Sequence, residues 1–385
     1  MTPISEKATR RLLVAAQDPG SVGHLSAIAE KASGLLDLHL VAASPAYEMF
    51  SRMGLSVRRV PALTTRSSSD EKAAQLRALS ASILADVRPD AVLVGSSGPE
   101  AGLCEALMAT TTVPYAYAFQ DFWGDVNKVF GTPAGTYFVV DAEAERLTRE
   151  IHGVNARVVG SPKHSRFGCL DIGMLRHETR AALGADNGRP VFGYFGQPLW
   201  KSQGYEKTVT SLAGTIAATF PDAIMLYRPH PKESDEEIGR VRRKLQEALP
   251  EAVVLTSGSV EGCLAACDVI CTAFSSCGYD HMFLAKYSAS PLGVVVYLRH
   301  DPEIRRLYHD YTGFDFLPVA RDGLALVTEV PEEVPAVLRS ALDPGRRLAI
   351  WDRIARVLPD PSLAAQRVVD SICADLAVAT GITEL

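Results

Sequence analysis

The stretch RLLVAAQDPGSVGHLSAIAEKAS, residues 11–33, decides the fold. Residues 11–17 form an apolar run of strand length, and residues 25–33 have the apolar spacing of a helix. Between them, Gly20 and Gly23 predict a tight loop. A buried strand that leads through a short loop into a helix is one unit of a parallel α/β sheet.

The same alternation continues through both halves of the chain. In the first half, further strands are predicted at 38–43, 57–62, 91–97, 113–119, 136–141 and 156–161, with helices at 45–53, 70–87, 99–109 and 142–151. In the second half, strands are predicted at 190–196, 223–228, 252–257, 268–274, 293–298 and 314–320, with helices at 172–184, 204–219 and 234–248. Near-continuous apolar strands separated by helices indicate parallel sheets that are buried on both faces.

The length of 385 residues exceeds what one core usually supports. We therefore predict an α/β fold of two Rossmann-like parallel-sheet domains, at 1–162 and 163–360. A C-terminal helix within 361–385 is predicted to pack back on the first domain. Ligands of open α/β sheets bind beyond the carboxyl ends of the strands, so two such sheets facing each other predict a site in the cleft between them.

Composition argues against several classes of protein. The chain is 47% hydrophobic and 22% charged, and its net charge of -6 argues against a surface that coats nucleic acid. Residues 1–20 lack the long apolar segment of a signal peptide, and no run reaches the length of a membrane span, which leaves only peripheral contact with a membrane. Seven cysteines without paired spacing fit reduced thiols in the cytoplasm. Nothing in the sequence indicates an oligomeric state.

Three cysteines, Cys263, Cys267 and Cys271, raise the question of a metal site. The first two are four residues apart on a predicted helix and the third lies in an apolar strand, whereas zinc and iron–sulfur sites usually use the C-x2-C spacing. We therefore predict core thiols, no metal and no cofactor. The motifs H-E-x-x-H and G-x-S-x-G are also absent from the sequence, so zinc peptidase and serine hydrolase functions are unsupported.

The residues after the first strand form a candidate ligand site. Glycines let the backbone turn and approach a ligand, and the start of the next helix offers free N–H groups. An ordinary capped turn is the alternative. The residues concerned are Gly20, Ser21, Gly23 and His24.

Two later strand ends in the first half are also polar. The serines of VGSSGPE, residues 94–100, follow one strand, and capping of the next helix explains them better than ligand binding does. The stretch AFQDFWGDVNKVFG, residues 118–131, presents Gln120, Asp121, Trp123 and Asp125. A carboxylate here suits a general base and an aromatic ring suits a sugar face, while a plain surface loop is the alternative.

Three strand ends in the second half carry groups suited to an anion. They are Gly196 and Gln197 in YFGQPLWKSQG (194–204), Arg228, His230, Pro231 and Lys232 in YRPHPKE (227–233), and Thr272, Ser275 and Ser276 in DVICTAFSSCGYDHMF (268–283). Two hydroxyls with the free N–H groups of a starting helix form a phosphate site, whereas an N-cap alone explains only one serine. Prolines on both sides of His230 fix its backbone, although a lone histidine is often only a satisfied turn residue.

With these motifs the chain resembles the GT-B superfamily of glycosyltransferases, in which two Rossmann-like domains hold a nucleotide-sugar donor mainly through the C-terminal one. PGSVGHLSAIA (19–29) resembles a glycine-rich loop with a terminal Gly-His, and RPHP (228–231) and FSS (274–276) resemble motifs of bacterial sialyl- and polysialyltransferases. Capsule and teichoic-acid transferases with CMP- or CDP-activated donors have similar motifs. The resemblance implies that His24 is the acceptor base, that His230 and Pro231 contact the nucleotide, and that Ser275 and Ser276 contact its phosphate.

These observations predict an inverting, metal-independent glycosyltransferase, or a sugar- or polyol-phosphate transferase, that moves a group from a CMP- or CDP-linked donor to a hydroxyl acceptor. The first domain would bind the acceptor, with His24 or Asp121 as the base. Arg228, His230 and Lys232 would offset charge on the leaving phosphate. The acidic base motif of the sialyltransferases is absent, and QDFWGD is only a loose substitute for it.

A second branch of the same fold, the UDP-N-acetylglucosamine 2-epimerases, resembles the chain at the same strand ends. Its His-x-Asn-Pro motif is similar to RPHPKE, but Ser96 and Gln120 stand where the resemblance implies two carboxylates needed for proton transfer and elimination. The sequence therefore argues against an epimerase or hydrolase of nucleotide sugars. A non-catalytic nucleotide-sugar binder is the third hypothesis.

Overall fold

The computed structural model describes residues 10–378 except 97, 99, 132, 186, 187 and 322. Ser97, weighed above as a site residue, and residues 379–385 of the predicted C-terminal segment lie outside the described residues. The chain divides into two compact units. The N-unit comprises residues 1–166 and 359–385, and the C-unit comprises residues 167–358.

The described part of the N-unit is built on one parallel sheet. Its strands are β1 (Arg11–Ala16), β2 (Asp37–Ala43), β3 (Val57–Val60), β4 (Ala91–Gly95), β5 (Ala116–Gln120), β6 (Thr136–Val139) and β7 (Ala156–Val158). These seven strands lie in the order β3-β2-β1-β4-β5-β6-β7, and neighbouring strands are parallel. The central strands are buried along most of their length, as expected for a sheet that helices cover on both faces.

Five helices follow strands of this sheet. They are α1 (Pro19–Ala32), α2 (Ala46–Arg52), α3 (Glu71–Val87), α4 (Leu103–Thr110) and α5 (Ala142–His152). The crossovers from strand to helix to parallel strand are those that the alternating sequence pattern predicts.

Helix α1 begins at Pro19 rather than at residue 25, so the predicted glycine loop after the first strand is wrong. Asp18 is the N-cap, and one of its carboxylate oxygens accepts a hydrogen bond from the Gly20 N–H at 3.0 Å. Aspartate caps free N–H groups and proline suits the first helical turn, so the Asp-Pro pair was the signal for this start. Gly20 and Gly23 belong to the first turns of the helix.

The C-unit is built on a second parallel sheet. Its strands are β8 (Val191–Phe195), β9 (Ile224–Arg228), β10 (Val253–Val254), β11 (Val269–Thr272), β12 (Val294–Leu298) and β13 (Leu326–Thr328), in the order β10-β9-β8-β11-β12-β13. Its helices are α6 (Ile172–Ala182), α7 (Gln203–Thr219), α8 (Asp235–Ala248), α9 (Val260–Ala266), α10 (Cys277–Tyr287), α11 (Pro302–Thr312), α12 (Pro318–Arg321), α13 (Val334–Leu342) and α14 (Pro344–Val357). Two 3₁₀ segments span Pro162–Cys169 and Pro331–Glu333.

The strand predicted at residues 314–320 is wrong. Phe314 and Leu317 are buried, which explains the apolar pattern, but residues 314–317 lie between two helices and Pro318 begins the second of them. The last strand of the sheet is β13, further along the chain. Helix α11, which the sequence analysis did not predict, has Asp301 as its N-cap.

Asp268, directly before β11, ties helix α6 to the amino end of the C-unit sheet. Its carboxylate accepts hydrogen bonds from Arg176 at 2.6 Å, from Arg180 at 2.9 Å and from the Val191 N–H at 2.9 Å. Burial alone would raise the pKa of Asp268, but these donors hold the pKa below its ordinary value. The buried charge is therefore matched, as buried charges in proteins usually are.

Helix α15 (Ala364–Val378) belongs to the N-unit and packs against α1. Its Asp375 carboxylate accepts hydrogen bonds from the Tyr117 hydroxyl at 2.7 Å and from Arg157 at 2.8 Å. These contacts join the C-terminal helix to β5 and β7 of the N-unit sheet.

Both sheets reverse their strand order beside their first strand. β1 lies between β2 and β4, and β8 lies between β9 and β11. In open α/β sheets, ligands bind at the carboxyl edge next to such a reversal. The predicted fold class, two Rossmann-like parallel-sheet domains, is confirmed. Ligands are therefore expected to bind at the loops that follow β1, β4 and β5 in the N-unit and β8, β9 and β11 in the C-unit.

Candidate functional site

Four acidic residues lie close together at the carboxyl edge of the N-unit sheet: Asp18, Glu105, Asp121 and Asp125, which we call the carboxyl cluster. Asp18 follows β1, Glu105 lies in α4, and the other two lie in the loop after β5. A Cβ atom added to Gly20 would collide with the Asp121 carboxylate. Gly20 is therefore the residue that lets this carboxylate lie over the start of α1.

Asp125 is the carboxyl group with the most altered acidity in this cluster. Burial raises its pKa to about 8, and the negative charges of Asp121 and Glu105 act in the same direction. Asp125, Glu105, Ser96 and Tyr137 line a cavity of about 20 Å³, which is room for about one water molecule. A carboxyl group that keeps its proton near neutral pH can donate that proton to a ligand.

Gln120 holds the loop that carries the two aspartates. Its buried side-chain amide accepts a hydrogen bond from the Gly124 N–H at 3.1 Å and donates one to the Thr148 hydroxyl at 2.9 Å. Gly124 has a φ of 68°, a conformation that favours glycine. His152 also contacts the Gly124 carbonyl oxygen, at 2.9 Å. Gln120 thus positions the loop, a role that its place in the sequence did not indicate.

Trp123 and His24 are buried side chains in the structure. Trp123 is 5% exposed, and its indole N–H donates to both carboxylate oxygens of Asp141 at 3.0 Å. His24 is 1% exposed, its ring stacks on Phe119 with centroids 4.4 Å apart, and its Nδ1 accepts a hydrogen bond from the Lys163 N–H at 3.4 Å. Both rings therefore pack within the N-unit.

Ser21 and Gly23 place helix α1 tightly against its neighbours. The Ser21 hydroxyl donates to the Asp18 carbonyl oxygen at 3.0 Å, and a Cβ atom added to Gly95 at the end of β4 would collide with the Ser21 side chain. A Cβ atom on Gly23 would lie 3.1 Å from the Lys163 Cβ. These small residues let the start of α1 approach the sheet edge closely.

In the C-unit, Glu233 is a central residue whose role the sequence analysis missed. Its buried carboxylate accepts hydrogen bonds from the Tyr227 hydroxyl at 3.0 Å, the Trp200 indole N–H at 3.0 Å and the His230 N–H at 2.7 Å. Burial raises the pKa of Glu233, while these hydrogen bonds oppose the rise. A Cβ atom on Gly196 would lie 2.5 Å from both Glu233 Oε1 and the Tyr227 hydroxyl, so Gly196 leaves space for this group.

His230 is held in one orientation by the turn in which it lies. Its Nδ1 accepts a hydrogen bond from the Lys232 N–H at 3.1 Å, so the neutral ring carries its proton on Nε2. Pro231 and Lys232 are exposed. The Arg228 guanidinium donates to the carbonyl oxygens of residues 255, 257 and 258 at 3.2, 2.6 and 2.9 Å, and thereby joins the end of β9 to the segment before α9.

Gln197 joins the ends of β8 and β11. Its side-chain oxygen accepts a hydrogen bond from the Phe274 N–H at 3.0 Å, and its own N–H donates to the Tyr205 hydroxyl at 2.8 Å. The buried Thr272 hydroxyl donates to the Phe195 carbonyl oxygen at 3.2 Å and accepts from the Ser275 N–H at 3.1 Å. The predicted site residues Gln197, Thr272 and Ser275 therefore lie close together where β8 and β11 end.

The two serines of the FSS motif have different environments. Ser275 is buried, and its hydroxyl accepts a hydrogen bond from the Cys277 N–H at 3.2 Å. Ser276 is exposed and occupies the N-cap position of α10. The exposed hydroxyl at the start of this eleven-residue helix is suited to an anion, because the positive end of the helix dipole lies there.

The cysteines that raised the question of a metal are buried thiols: Cys263, Cys267 and Cys271 are all free and inaccessible. Among the residues that the structure describes, no group of three or more His, Cys, Asp or Glu side chains is arranged to hold a metal ion. Over the same residues, no helix has both the length and the hydropathy of a membrane span.

The described chain is an α/β protein of two Rossmann-like units with polar groups at their carboxyl edges, and solved structures share this fold over their full length. S. aureus MnaA, solved with UDP, is 12% identical with a TM-score of 0.66, and the match covers 96% of this chain and 98% of that one. The UDP-GlcNAc 2-epimerase from Neisseria meningitidis, solved with UDP-GlcNAc, is 14% identical with a TM-score of 0.65 and coverages of 94% and 100%. MurG from Acinetobacter baumannii is 11% identical with a TM-score of 0.57 and coverages of 95% and 99%. No protein-family model and no curated protein sequence matches the chain.

At these identities the likeness establishes the fold, and it corrects the sequence interpretation of function. The prediction of a transferase with a CMP- or CDP-linked donor is wrong: further full-length matches are again named UDP-GlcNAc 2-epimerases, the class that the sequence analysis had set aside. The resemblance to sialyltransferases gains no support from these structures. The short motifs behind it are explained in part by local bonding, since Arg228, Thr272 and Ser275 donate to or accept from nearby backbone groups.

Proposed function

We propose that this chain is an enzyme that acts on a nucleotide sugar and inverts one of its carbon centres, in the manner of a UDP-GlcNAc 2-epimerase. The observation that carries the proposal is the carboxyl cluster at the edge of the N-unit sheet. The sequence argument against an epimerase was the loss of two carboxylates at Ser96 and Gln120. Asp121 and Asp125, which follow shortly after Gln120 in the chain, supply carboxyl groups at the same sheet edge.

Inversion at C2 of the sugar removes one proton and returns another to the opposite face, so it needs a proton acceptor and a proton donor. The electron pair of the C–H bond is taken up as the C1–O bond to UDP breaks, and it is released when that bond forms again. The pKa of about 8 keeps Asp125 protonated at neutral pH, which suits the donor. Asp121, held over Gly20 at the start of α1, is the acceptor in this proposal. Two carboxyl groups whose environments separate their proton affinities are a common basis for such a division of roles.

For the nucleotide we propose the carboxyl edge of the C-unit sheet. The N-terminus of α10 with the exposed Ser276 hydroxyl offers donors for a phosphate oxygen. His230 lies at the same sheet edge, in the turn that follows β9. The full-length likeness to proteins solved with UDP and with UDP-GlcNAc supports uracil as the base of the nucleotide.

The test is incubation of the protein with UDP-GlcNAc in deuterated water. Proton NMR would follow the appearance of the epimer, and mass spectrometry would follow deuterium at the inverted carbon. We expect epimer and deuterium to appear together in the wild type. Asp125→Asn and Asp121→Asn should each abolish both signals, whereas Glu30→Gln, which removes an exposed carboxylate on α1, should leave them unchanged.

Other outcomes would assign a different function. Release of UDP with a sugar of unchanged configuration would identify a hydrolase. Binding of UDP-GlcNAc without any turnover would identify a non-catalytic binder. Full epimerase activity in both aspartate variants would show that the carboxyl cluster does not perform the proton transfers.

A further inference from the structure

The C-unit contains a second group of polar side chains, distinct from the residues that follow β8, β9 and β11. It lies where β12 and β13 end: Arg299 directly follows β12, and its N–H donates to the carbonyl oxygen of Thr328, the last residue of β13, at 3.1 Å. A cavity of about 300 Å³ opens there. We call it the arginine pocket; its lining residues are Arg299, Arg305, Arg306, His309 and Asp315.

Arg299 is the unusual member of the arginine pocket. Its side chain is buried, with 3% of the residue exposed, and the guanidinium lies 5.0 Å over the Tyr308 ring. It donates to the carbonyl oxygen of Asp315 at 2.9 Å, and its Nε has no hydrogen-bond partner. Within the described chain, Arg299 makes no ion pair with a carboxylate.

A buried cation normally has a matching negative charge, because removal of a charge from water is costly. The same unit provides a comparison, since Arg180 lies 2.9 Å from the Asp268 carboxylate. Arg299 has only a carbonyl oxygen and an aromatic face. A negatively charged ligand would supply the counter-ion that the described chain does not give to the Arg299 guanidinium.

The other members add to the positive charge of the pocket. Arg305 uses one nitrogen to bind the carbonyl oxygens of residues 299, 300 and 329, which fixes its guanidinium at the pocket wall. Arg306 is exposed, and its charge helps to hold the pKa of Glu303 below its ordinary value. The Asp315 side chain is 92% exposed and contacts His309 at 3.0 Å. The lining of the pocket thus contains three arginines and one carboxylate, which is solvated.

We propose that the arginine pocket binds the phosphate group of a small ligand. Guanidinium groups donate paired hydrogen bonds to phosphate oxygens, and a phosphate dianion supplies the charge that Arg299 lacks. The volume is sufficient for a phosphate with an attached small group. The proposal does not require the chain to act on a nucleotide sugar.

Titration calorimetry with inorganic phosphate at constant ionic strength tests this assignment. The variant is Arg306→Gln, because this side chain is exposed and its loss leaves the fold intact. The matched control is Arg242→Gln, which removes one exposed charge from α8. We expect saturable binding of phosphate to the wild type and to R242Q, and a Kd about tenfold higher in R306Q, the effect of one lost charged hydrogen bond.

A second arm with UDP identifies the source of the phosphate. If R306Q weakens UDP binding as well and UDP displaces inorganic phosphate, the pocket binds the diphosphate of a nucleotide. If phosphate binds to UDP-saturated protein with the same dependence on Arg306, the pocket binds a separate phosphorylated ligand. Both results support the proposal. Equal phosphate affinity in the wild type and R306Q, or no saturable binding of phosphate or UDP to the wild type, would overturn it.

Discussion

The two sheets have the same strand reversal beside their first strand but opposite chemistry at their carboxyl edges. In the N-unit, burial raises the pKa of Asp125 to about 8, and the charges of the neighbouring carboxylates act in the same direction. In the C-unit, Glu233 lies among hydrogen-bond donors, three of which bind its carboxylate. A carboxyl group beside like charges is suited to proton transfer, whereas one surrounded by donors holds a structure together.

The largest effect should come from Asp125→Asn. If Asp125 donates a proton during epimerisation, an amide in its place lowers kcat by about 10²- to 10⁴-fold, the usual contribution of a positioned acid or base. Steady-state turnover of UDP-GlcNAc measures the loss, and circular dichroism checks that the variant is folded. A variant with kcat within threefold of the wild type would remove Asp125 from the mechanism.

Glu233→Ala tests whether the Glu233 carboxylate stabilises the C-unit. The change leaves the Tyr227 hydroxyl and the His230 N–H without this acceptor, and it leaves the Trp200 indole N–H with only the Tyr227 hydroxyl, at 3.2 Å. Because buried donors without partners are costly, we expect the free energy of unfolding to fall by about 3 kcal/mol or more. Urea denaturation measures it, with Glu236→Ala as an exposed control. A loss of less than about 1 kcal/mol would mean that Glu233 is not a structural anchor.

The fold was predictable because most of the strands are short apolar runs bounded by polar residues or glycine. Errors arose where one pattern fitted two structures. Gly20 and Gly23 were interpreted as a loop, although Asp18 and Pro19 mark a helix start. The apolar residues of 314–320 suited a strand, yet they fill space between two helices.

The site was predictable only in part, because side-chain partners come from separate segments. YRPHPKE drew attention to His230, but the importance of Glu233 depends on Trp200 and Tyr227, which no local pattern connects to it. In the N-unit, Glu105 lies in a helix with an ordinary apolar pattern. Its place beside Asp125 follows from the packing of α4 next to β4 and β5.

Substitution of Gly196 and of Gly20 by alanine tests whether the carboxylate beside each glycine is fixed or movable. In Gly196→Ala, the new Cβ would meet Glu233 and the Tyr227 hydroxyl, which are buried and cannot move aside, so we expect a loss of about 1–3 kcal/mol in stability. In Gly20→Ala, only the end of the Asp121 side chain has to shift. We therefore expect a stability change within about 0.5 kcal/mol and a kcat about tenfold lower.

Gly214→Ala is the control for both glycine variants, since no atom lies within 4 Å of a Cβ added there in α7. Alanine in a helix should raise its stability by about 0.5–1 kcal/mol. Urea denaturation and turnover of UDP-GlcNAc together measure the set. Equal losses of stability in the Gly20 and Gly196 variants would contradict the distinction between a movable and a fixed carboxylate.

The smallest effect concerns the pH dependence of stability in the N-unit. The pKa of Asp125 is raised on folding, so the folded state keeps a proton that the unfolded state has already lost between about pH 4 and pH 8. Stability contributed by the protonated group is therefore present at low pH and is lost as the pH rises toward 8. Solvent reaches this half-buried group and screens its charge, so we expect the wild type to lose on the order of 1 kcal/mol relative to D125N between pH 5 and pH 8.5. Urea denaturation at both pH values measures the difference, with Glu236→Gln as the control for removal of an exposed charge. A difference between wild type and D125N that stays constant with pH would show that Asp125 is ionised like an ordinary surface aspartate, and the contrast between the two sheet edges would then rest on geometry alone.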